Sequence, residues 1–365
     1  MSKPKILMVS CEGLGRGGTQ AVMMNFVRNL SDLYCFDILL FTKEVRFYDE
    51  EFVSYGGKII RIPHYNGKNR WRKKIDYYVR GIPLFFKIKD ALRKNGPYNA
   101  IHCNNVYESA LCLLAAKKVG VPVRICHSHT ICHSSNTIAK ILNGFYTRLI
   151  NKYSTQRIGC SQDACNALFG ESVNCAVLNN PYDDFKFDLE KYEKQVNATF
   201  TLIQVGRYDN NKNQLFSLEI LKNLKEKGKD VLLKLVGFGE KQFVDLLKEK
   251  AKELDVINNV VFLDGTTTNI PMELSKSDAF LFPSKKEGFG ITLIEAQAMG
   301  LTCFVSDSVP KATDVGGCIY IPLKDGPEKW ASKILETPCH KRKYDCSQFS
   351  SSGVVKKMTL LYGGK

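Results

Sequence analysis

Glu287 and Glu295 stand eight residues apart, and Gly288-Phe289-Gly290 follows the first of them directly. Apolar residues at Ile291, Ile294, Ala298 and Leu301 predict a helix that starts just past these glycines and packs on a sheet. Gly288 and Gly290 strip side chains from its first turn, which exposes backbone N–H groups to an anion such as a diphosphate. A carboxylate at that loop can accept paired hydrogen bonds from hydroxyl groups, the role open to Glu287. Glu295 lies two turns along, flanked by Leu293, Ile294 and Ala296, an apolar setting for a merely solvated acid.

A second set of groups suits the same anion. Gly206 lets the chain turn at a strand end, Arg207 can fork onto phosphate oxygens, and Lys212 adds a compact positive charge five residues later. Gly237 and Gly239 form a further glycine turn between a strand and a helix. Each of these loops alone has a structural explanation; together they repeat one chemistry at several strand ends.

The elements that must carry these residues are short apolar runs alternating with amphipathic helices. In the first half the predicted strands are Lys5–Val9, Phe36–Phe41, Lys58–Ile62, Ala100–Cys103, Val123–Cys126, Gln156–Cys160 and Cys175–Leu178, with helices such as Gln20–Leu30, Pro83–Lys94 and Tyr107–Val119 between them. The rhythm breaks near Asn179–Asp184 and restarts with Thr201–Val205, Val231–Val236, Val260–Leu263, Ala279–Phe282, Thr302–Val305 and Cys318–Ile321. Strands separated by helices make parallel sheets with right-handed crossovers. The expected fold is α/β: a domain over 1–178, a hinge over 179–198, a second Rossmann-like domain over 199–336, and a C-terminal segment over 337–365 whose helix packs back toward the first domain. Ligands of such sheets bind at the carboxyl ends of strands, here in the cleft expected between two facing domains.

Glu287 and Glu295, with Gly-Phe-Gly after the first, resemble the Glu-x7-Glu motif of retaining glycosyltransferases of family 4, which have the GT-B fold. Val205-Gly206-Arg207 with Lys212 resembles that family's donor-phosphate pair, and Val236–Gly239 and Val261–Gly265 its intermediate landmarks. Gly17-Gly18-Thr19-Gln20 is similar to its N-terminal glycine loop, and Val177–Asp183 to its hinge, although Asn180-Pro181-Tyr182 stands where Asn-Gly-Ile/Val is commoner. The resemblance spans nearly the whole chain, and residues 281–307 are its specific part. His127-Ser128-His129 is similar to members that build capsules or exopolysaccharides, in which a first-domain histidine lines the cleft near the transferred sugar; His129 is favoured over His127.

The resemblance implies a nucleotide-sugar donor, UDP being the expected carrier, and a glycan or lipid-linked acceptor entering from the first domain. Arg207, Lys212 and the Gly288–Gly290 amides would stabilise the departing diphosphate, Glu287 would hold the sugar and Glu295 the ribose. With no Asp-x-Asp after a suitable strand, neither metal nor cofactor is expected.

Charge adds a partner. Residues 51–150 hold 17 Lys and Arg against 4 Asp and Glu, most of the chain's net +15. Lys68, Arg70, Arg72, Lys73, Lys74, Arg80, Lys87, Lys89, Arg93 and Lys94 interleave with Trp71, Tyr77, Tyr78, Phe85 and Phe86. That mix suits an anionic membrane surface better than nucleic acid, for which no fold motif is present. A basic binding module without catalysis is the alternative reading.

A nicotinamide-binding fingerprint fails, because Gly13, Gly15 and Gly18 leave Arg16 in the phosphate turn and no acid ends Phe36–Phe41. The N-terminus runs from Met1–Lys5 straight into a strand, too short for a signal peptide, so a cytoplasmic protein on the inner membrane face is expected. The 13 cysteines, including Cys103, Cys126, Cys160, Cys175 and Cys303 in apolar runs, are expected to be reduced. Cys126, His127, His129, Cys132 and His133 crowd together without the second ligand pair that a structural zinc site takes.

Overall fold

The apolar runs become parallel strands in two separate sheets. The computed structural model describes residues 3–11, 13–63, 81–104, 107–129, 137–192 and 198–363. The chain divides into two compact units, Met1–Pro181 with Ser351–Lys365, and Tyr182–Ser350.

The first unit contains β1 (Lys5–Ser10), α1 (Gly18–Leu30), β2 (Cys35–Leu40), α2 (Asp49–Ser54), β3 (Ile59–Arg61), α3 (Gly81–Asn95), β4 (Ala100–Cys103), α4 (Tyr107–Lys118), β5 (Val123–Ser128), α5 (Thr137–Tyr153), β6 (Gln156–Gly159), α6 (Gln162–Phe169) and β7 (Ala176–Val177). Its sheet order is β3-β2-β1-β4-β5-β6-β7, and every pairing is parallel. Residues 6–10 and 36–40 are buried throughout, as strands covered by helices on both faces must be.

The second unit contains β8 (Phe200–Val205), α7 (Gln214–Glu226), β9 (Val231–Gly237), α8 (Lys241–Glu253), β10 (Val260–Asp264), α9 (Ile270–Ser275), β11 (Ala279–Phe282), α10 (Ile291–Ala298), β12 (Thr302–Ser306), β13 (Cys318–Ile321) and α11 (Gly326–Glu336). Its order is β10-β9-β8-β11-β12-β13, again all parallel. Trp330, Phe304, Leu233 and Leu281 lie in its core. In both sheets the strand order reverses beside the first strand, between β1 and β4 and between β8 and β11. Such a switch point splays the following loops apart and opens a crevice at the strand ends.

The described residues that directly follow Pro181 belong to the second unit. Lys343 pairs with Glu190 at 2.7 Å, and Lys341 Nζ donates to the Leu274 carbonyl at 3.0 Å. The chain leaves the second unit beside the place where it entered: Tyr182 N–H donates to the Phe349 carbonyl at 3.1 Å. The last helix, α12 (Ser351–Leu361), packs on α1, where Asn25 Nδ2 donates to Ser351 Oγ at 2.7 Å.

One expectation is overturned. Cys165 and Cys175 form a disulfide, because α6 returns the chain to β7 and brings their Cα atoms to 6.0 Å. The other cysteines among the described residues are free thiols. Cys132, His133 and the basic and aromatic residues between Lys68 and Arg80 lie outside the described residues.

Candidate active site

The loops after β8 and β11 meet at the switch point of the second sheet. Asp209 organises the first: its Oδ1 accepts from the N–H groups of Asn211 and Lys212 at 3.0 and 2.9 Å, and its Oδ2 from Arg207 Nε at 2.9 Å. Asn213 then caps α7 in a left-handed conformation, φ 61°, which Asn tolerates. Three hydrogen bonds tie this loop to the next. Asn211 Nδ2 donates to the Lys286 carbonyl at 2.7 Å, Lys285 N–H to the Asn211 carbonyl at 2.8 Å, and Asn213 Nδ2 to the Pro283 carbonyl at 3.1 Å.

That stitching aims Lys212 at Glu287, with Nζ and Oε1 2.6 Å apart and both side chains largely buried. The ammonium also lies 4.9 Å from the centre of the Phe282 ring. Its stem crosses Gly206, where an added Cβ would stand 3.3 Å from Lys212 Cδ and Cε. Gly237 is required by close approach, since a Cβ there would overlap the Gly206 carbonyl. Gly239 faces Tyr208, whose carbonyl would lie 2.6 Å from an added Cβ.

Gly290 begins α10 at φ 92°, a left-handed turn that favours glycine. Gly288 beside it is half-buried, and Phe289 buries its side chain edge-on against Phe349 at 5.9 Å. What Phe289 can offer a ligand is therefore its backbone N–H. Glu295 faces the segment just past Pro181: burial first, then the Asp183 carboxylate, pushes its carboxyl up to about 7, with Lys186 opposing. Arg207 stands apart from the Lys212–Glu287 pair, 69% exposed and held by Asp209. Buried Ser284 Oγ, Thr292 Oγ1 and Gln214 Oε1 lack hydrogen-bond partners around these loops.

The remaining sequence-predicted residues belong to the first unit. Gly17 caps α1 and Gly18 begins it, both exposed and without a side-chain cap. His127 is the last residue but one of β5, fully buried, and its ring centre lies 4.0 Å from that of His129. His127 Nδ1 is 3.2 Å from His102 Nε2, and His102 Nδ1 is 2.8 Å from the Tyr362 hydroxyl. His129 Nε2 is 2.8 Å from Asn104 Oδ1. Burial pushes all three histidines down, His102 to about 3 and His129 to about 4, so they are neutral at pH 7. His102, Asn104 and Tyr362 carried no motif; the only trace of them in sequence is Asn104 placed just past a strand. Among the described residues no three His, Cys, Asp or Glu side chains gather as metal ligands do.

Two Rossmann-like units, one with cationic side chains and a glycine-opened helix start at its switch point, have the GT-B architecture of sugar-transferring enzymes. A solved glycosyltransferase from Rickettsia africae superposes with a TM-score of 0.75 over 99% of this chain and 98% of that one, at 17% identity. Anabaena HepE, solved with UDP and glucose, superposes at 0.71 over 98% and 95%, at 16% identity. Residues 185–316 match the family model described as glycosyl transferases group 1. The Bacillus subtilis protein named as the glycosyltransferase EpsF is 31% identical over 91% of this chain and 87% of its own length. The Staphylococcus aureus capsular polysaccharide biosynthesis glycosyltransferase CapH is 26% identical over 96% and 97%. An Escherichia coli UDP-Gal:alpha-D-GlcNAc-diphosphoundecaprenol alpha-1,3-galactosyltransferase is 27% identical over 59% of both chains. The chain belongs to the group 1 glycosyltransferase family.

Proposed function

We propose that this glycosyltransferase takes a hexose from a UDP-sugar and passes it, with retention at the anomeric carbon and without a metal ion, to a glycan or lipid-linked glycan in cell-surface polysaccharide assembly. The observation that carries the reading is the Lys212–Glu287 pair at the β8–β11 switch point, one cation and one carboxylate held 2.6 Å apart beside the start of α10. As the bond from sugar to diphosphate breaks, charge gathers on the β-phosphate oxygens. Arg207, Lys212 and the Gly288–Gly290 amides supply fixed positive potential for it, which lowers the barrier without solvent reorganisation. A diphosphate that draws Lys212 away frees Glu287 to accept hydrogen bonds from the sugar hydroxyls. Glu295 receives the ribose, Gly206, Gly237 and Gly239 let the donor approach the backbone, and His129, with His127 behind it, lines the transferred sugar. Gly17 and Gly18 open the start of α1 in the same way on the acceptor side.

The donor and acceptor classes take support from the relatives: HepE holds UDP and glucose, and the Escherichia coli enzyme acts on UDP-galactose and a diphosphoundecaprenol-linked sugar. A lipid-linked acceptor makes docking on an anionic membrane useful. On α3, Ile82 and Phe86 are 73% and 59% exposed beside Lys87 and Lys89. No helix among the described residues is long and apolar enough to cross a membrane. The test is the product: proton NMR of the new linkage should show the donor's anomeric configuration, at a rate that EDTA leaves unchanged. An inverted linkage, or a rate lost to EDTA and restored by manganese, overturns the mechanism.

A further inference from the structure

Cys165 and Cys175 are joined across a stretch that runs from α6, through a turn at Gly170, to the start of β7. Cys165 is 1% exposed in the core of the first unit, whereas Cys175 is half-buried, so its sulfur is the one open to attack. Gly159, the last residue of β6, has no side chain where the Cys165 sulfur packs; an added Cβ would stand 2.6 Å from it. In a reducing compartment, such as the cytoplasm expected from the sequence, a disulfide is usually transient or redox-sensing.

The strand that this bridge anchors has few other ties among the described residues. β7 is the outermost strand of its sheet, pairs with β6 through Ala176 and Val177, and exposes both. Arg157 Nε donates to the Asn174 carbonyl at 3.1 Å, and Leu178 N–H to the Gly159 carbonyl at 2.9 Å. Past Leu178 the chain reaches Asn180, buried and hydrogen-bonded to His129, and it leaves the first unit after Pro181. The bridge therefore acts on the segment that carries Asn180. A covalent ring confines the opened segment and so removes entropy that opening would gain; cutting the ring favours opening of residues 170–178.

We propose that the Cys165–Cys175 bond is a redox-sensitive tie: bridged, it holds β7 and Asn180 in place; reduced, it frees both and slows sugar transfer. The co-reactant is a dithiol. One of its thiolates attacks the Cys175 sulfur, the S–S bond breaks, and Cys165 leaves as a thiolate that takes up a proton. The second thiolate of the reductant then displaces Cys175, which is protonated in turn, so two electrons pass to the protein and the reductant departs as a disulfide. A low-molecular-weight disulfide restores the bridge by the reverse exchange. The effect on transfer rests on the proposed transferase activity; the tie itself does not. The folded full chain is equilibrated with oxidised glutathione or with dithiothreitol, alkylated, and digested for mass spectrometry. The bridge should form in the first and open in the second while the circular dichroism of the fold is kept. On opening, the amides of residues 170–178 should exchange about 100-fold faster, with those of β1 and β4 unchanged. A bridge that never forms in the folded chain, one that opens only on unfolding, or unchanged exchange overturns the tie. UDP release from a UDP-hexose should fall about tenfold on reduction, the size of one hydrogen bond, and Cys175→Ser should show the low rate in both conditions. Equal rates for the two forms, or a redox response that survives Cys175→Ser, overturn the effect on transfer. No turnover of any UDP-hexose in either form defeats the proposed function, while alkylation and amide exchange judge the tie by themselves.

Discussion

Lys212 and Glu287, 75 residues apart in sequence, meet at 2.6 Å because hydrogen bonds from Asn211 and Asn213 sew one strand-end loop to the next. Each is the other's partner in the free protein, so each variant leaves a charge behind. Glu287→Gln and Lys212→Met should each cost about 1–3 kcal/mol of stability by denaturant titration, and the double variant less than their sum. Transfer should fall by about 100-fold or more in either single variant, the scale of one lost electrostatic contact in a transition state. Wild-type rates in both would remove the pair from the chemistry.

Glycines at the strand ends separate into required and tolerant. Gly237→Ala forces a methyl into the Gly206 carbonyl and should destabilise the second unit by about 1–3 kcal/mol, seen as a lower melting temperature. Gly18→Ala meets nothing within 4 Å at the start of α1 and should stabilise by about 0.4–1 kcal/mol. Equal melting temperatures for the two variants would contradict this.

This contrast marks what a sequence reveals. The strands were legible because buried parallel strands are short, unbroken apolar runs, as Ala279–Phe282 is, and their observed ends differ from the expected ones by a residue or two. The glycine loops were legible because they follow those runs directly. Composition drew a hinge over 179–198, whereas the compact units divide at Pro181 and again at Ser350, since Asp183, Lys186 and Glu190 all engage the second unit. The Cys165–Cys175 bond was missed because only the turn from α6 into β7 brings them together. His102, Asn104 and Tyr362 carried no motif either: they meet through the order of β1, β4 and β5 in the sheet and the return of the C-terminal helix.

Glu295 gives the fold a pH dependence. Burial and Asp183 raise its carboxyl from 4.5 to about 7, so the folded state prefers the protonated form. That contribution is complete below pH 4.5 and is lost as the pH rises through about 7. Relative to wild type, Glu295→Gln should therefore gain stability between pH 5 and pH 8 in denaturant titrations. A difference that stays flat, or runs the other way, would show that Glu295 is ionised and satisfied in the fold.

Membrane docking is tested on vesicles. The chain should co-sediment with liposomes containing anionic lipid and release as salt shortens the screening length. Each basic residue near such a surface is worth about 1 kcal/mol, so Lys87→Ser with Lys89→Ser should weaken binding about tenfold or more while donor turnover persists. Equal binding to neutral and anionic vesicles would defeat the idea.

Under the proposed function, Glu287 and Arg207 act on a nucleotide-sugar donor at the switch point of the second sheet. Purified protein is incubated with a panel of nucleotide sugars and a diphosphate-lipid-linked sugar acceptor, and nucleoside diphosphate release is followed. The expected result is UDP release from one UDP-hexose, lost in Glu287→Ala and Arg207→Ala although both variants fold. Release undiminished in either variant, or none from any nucleotide sugar, would contradict it.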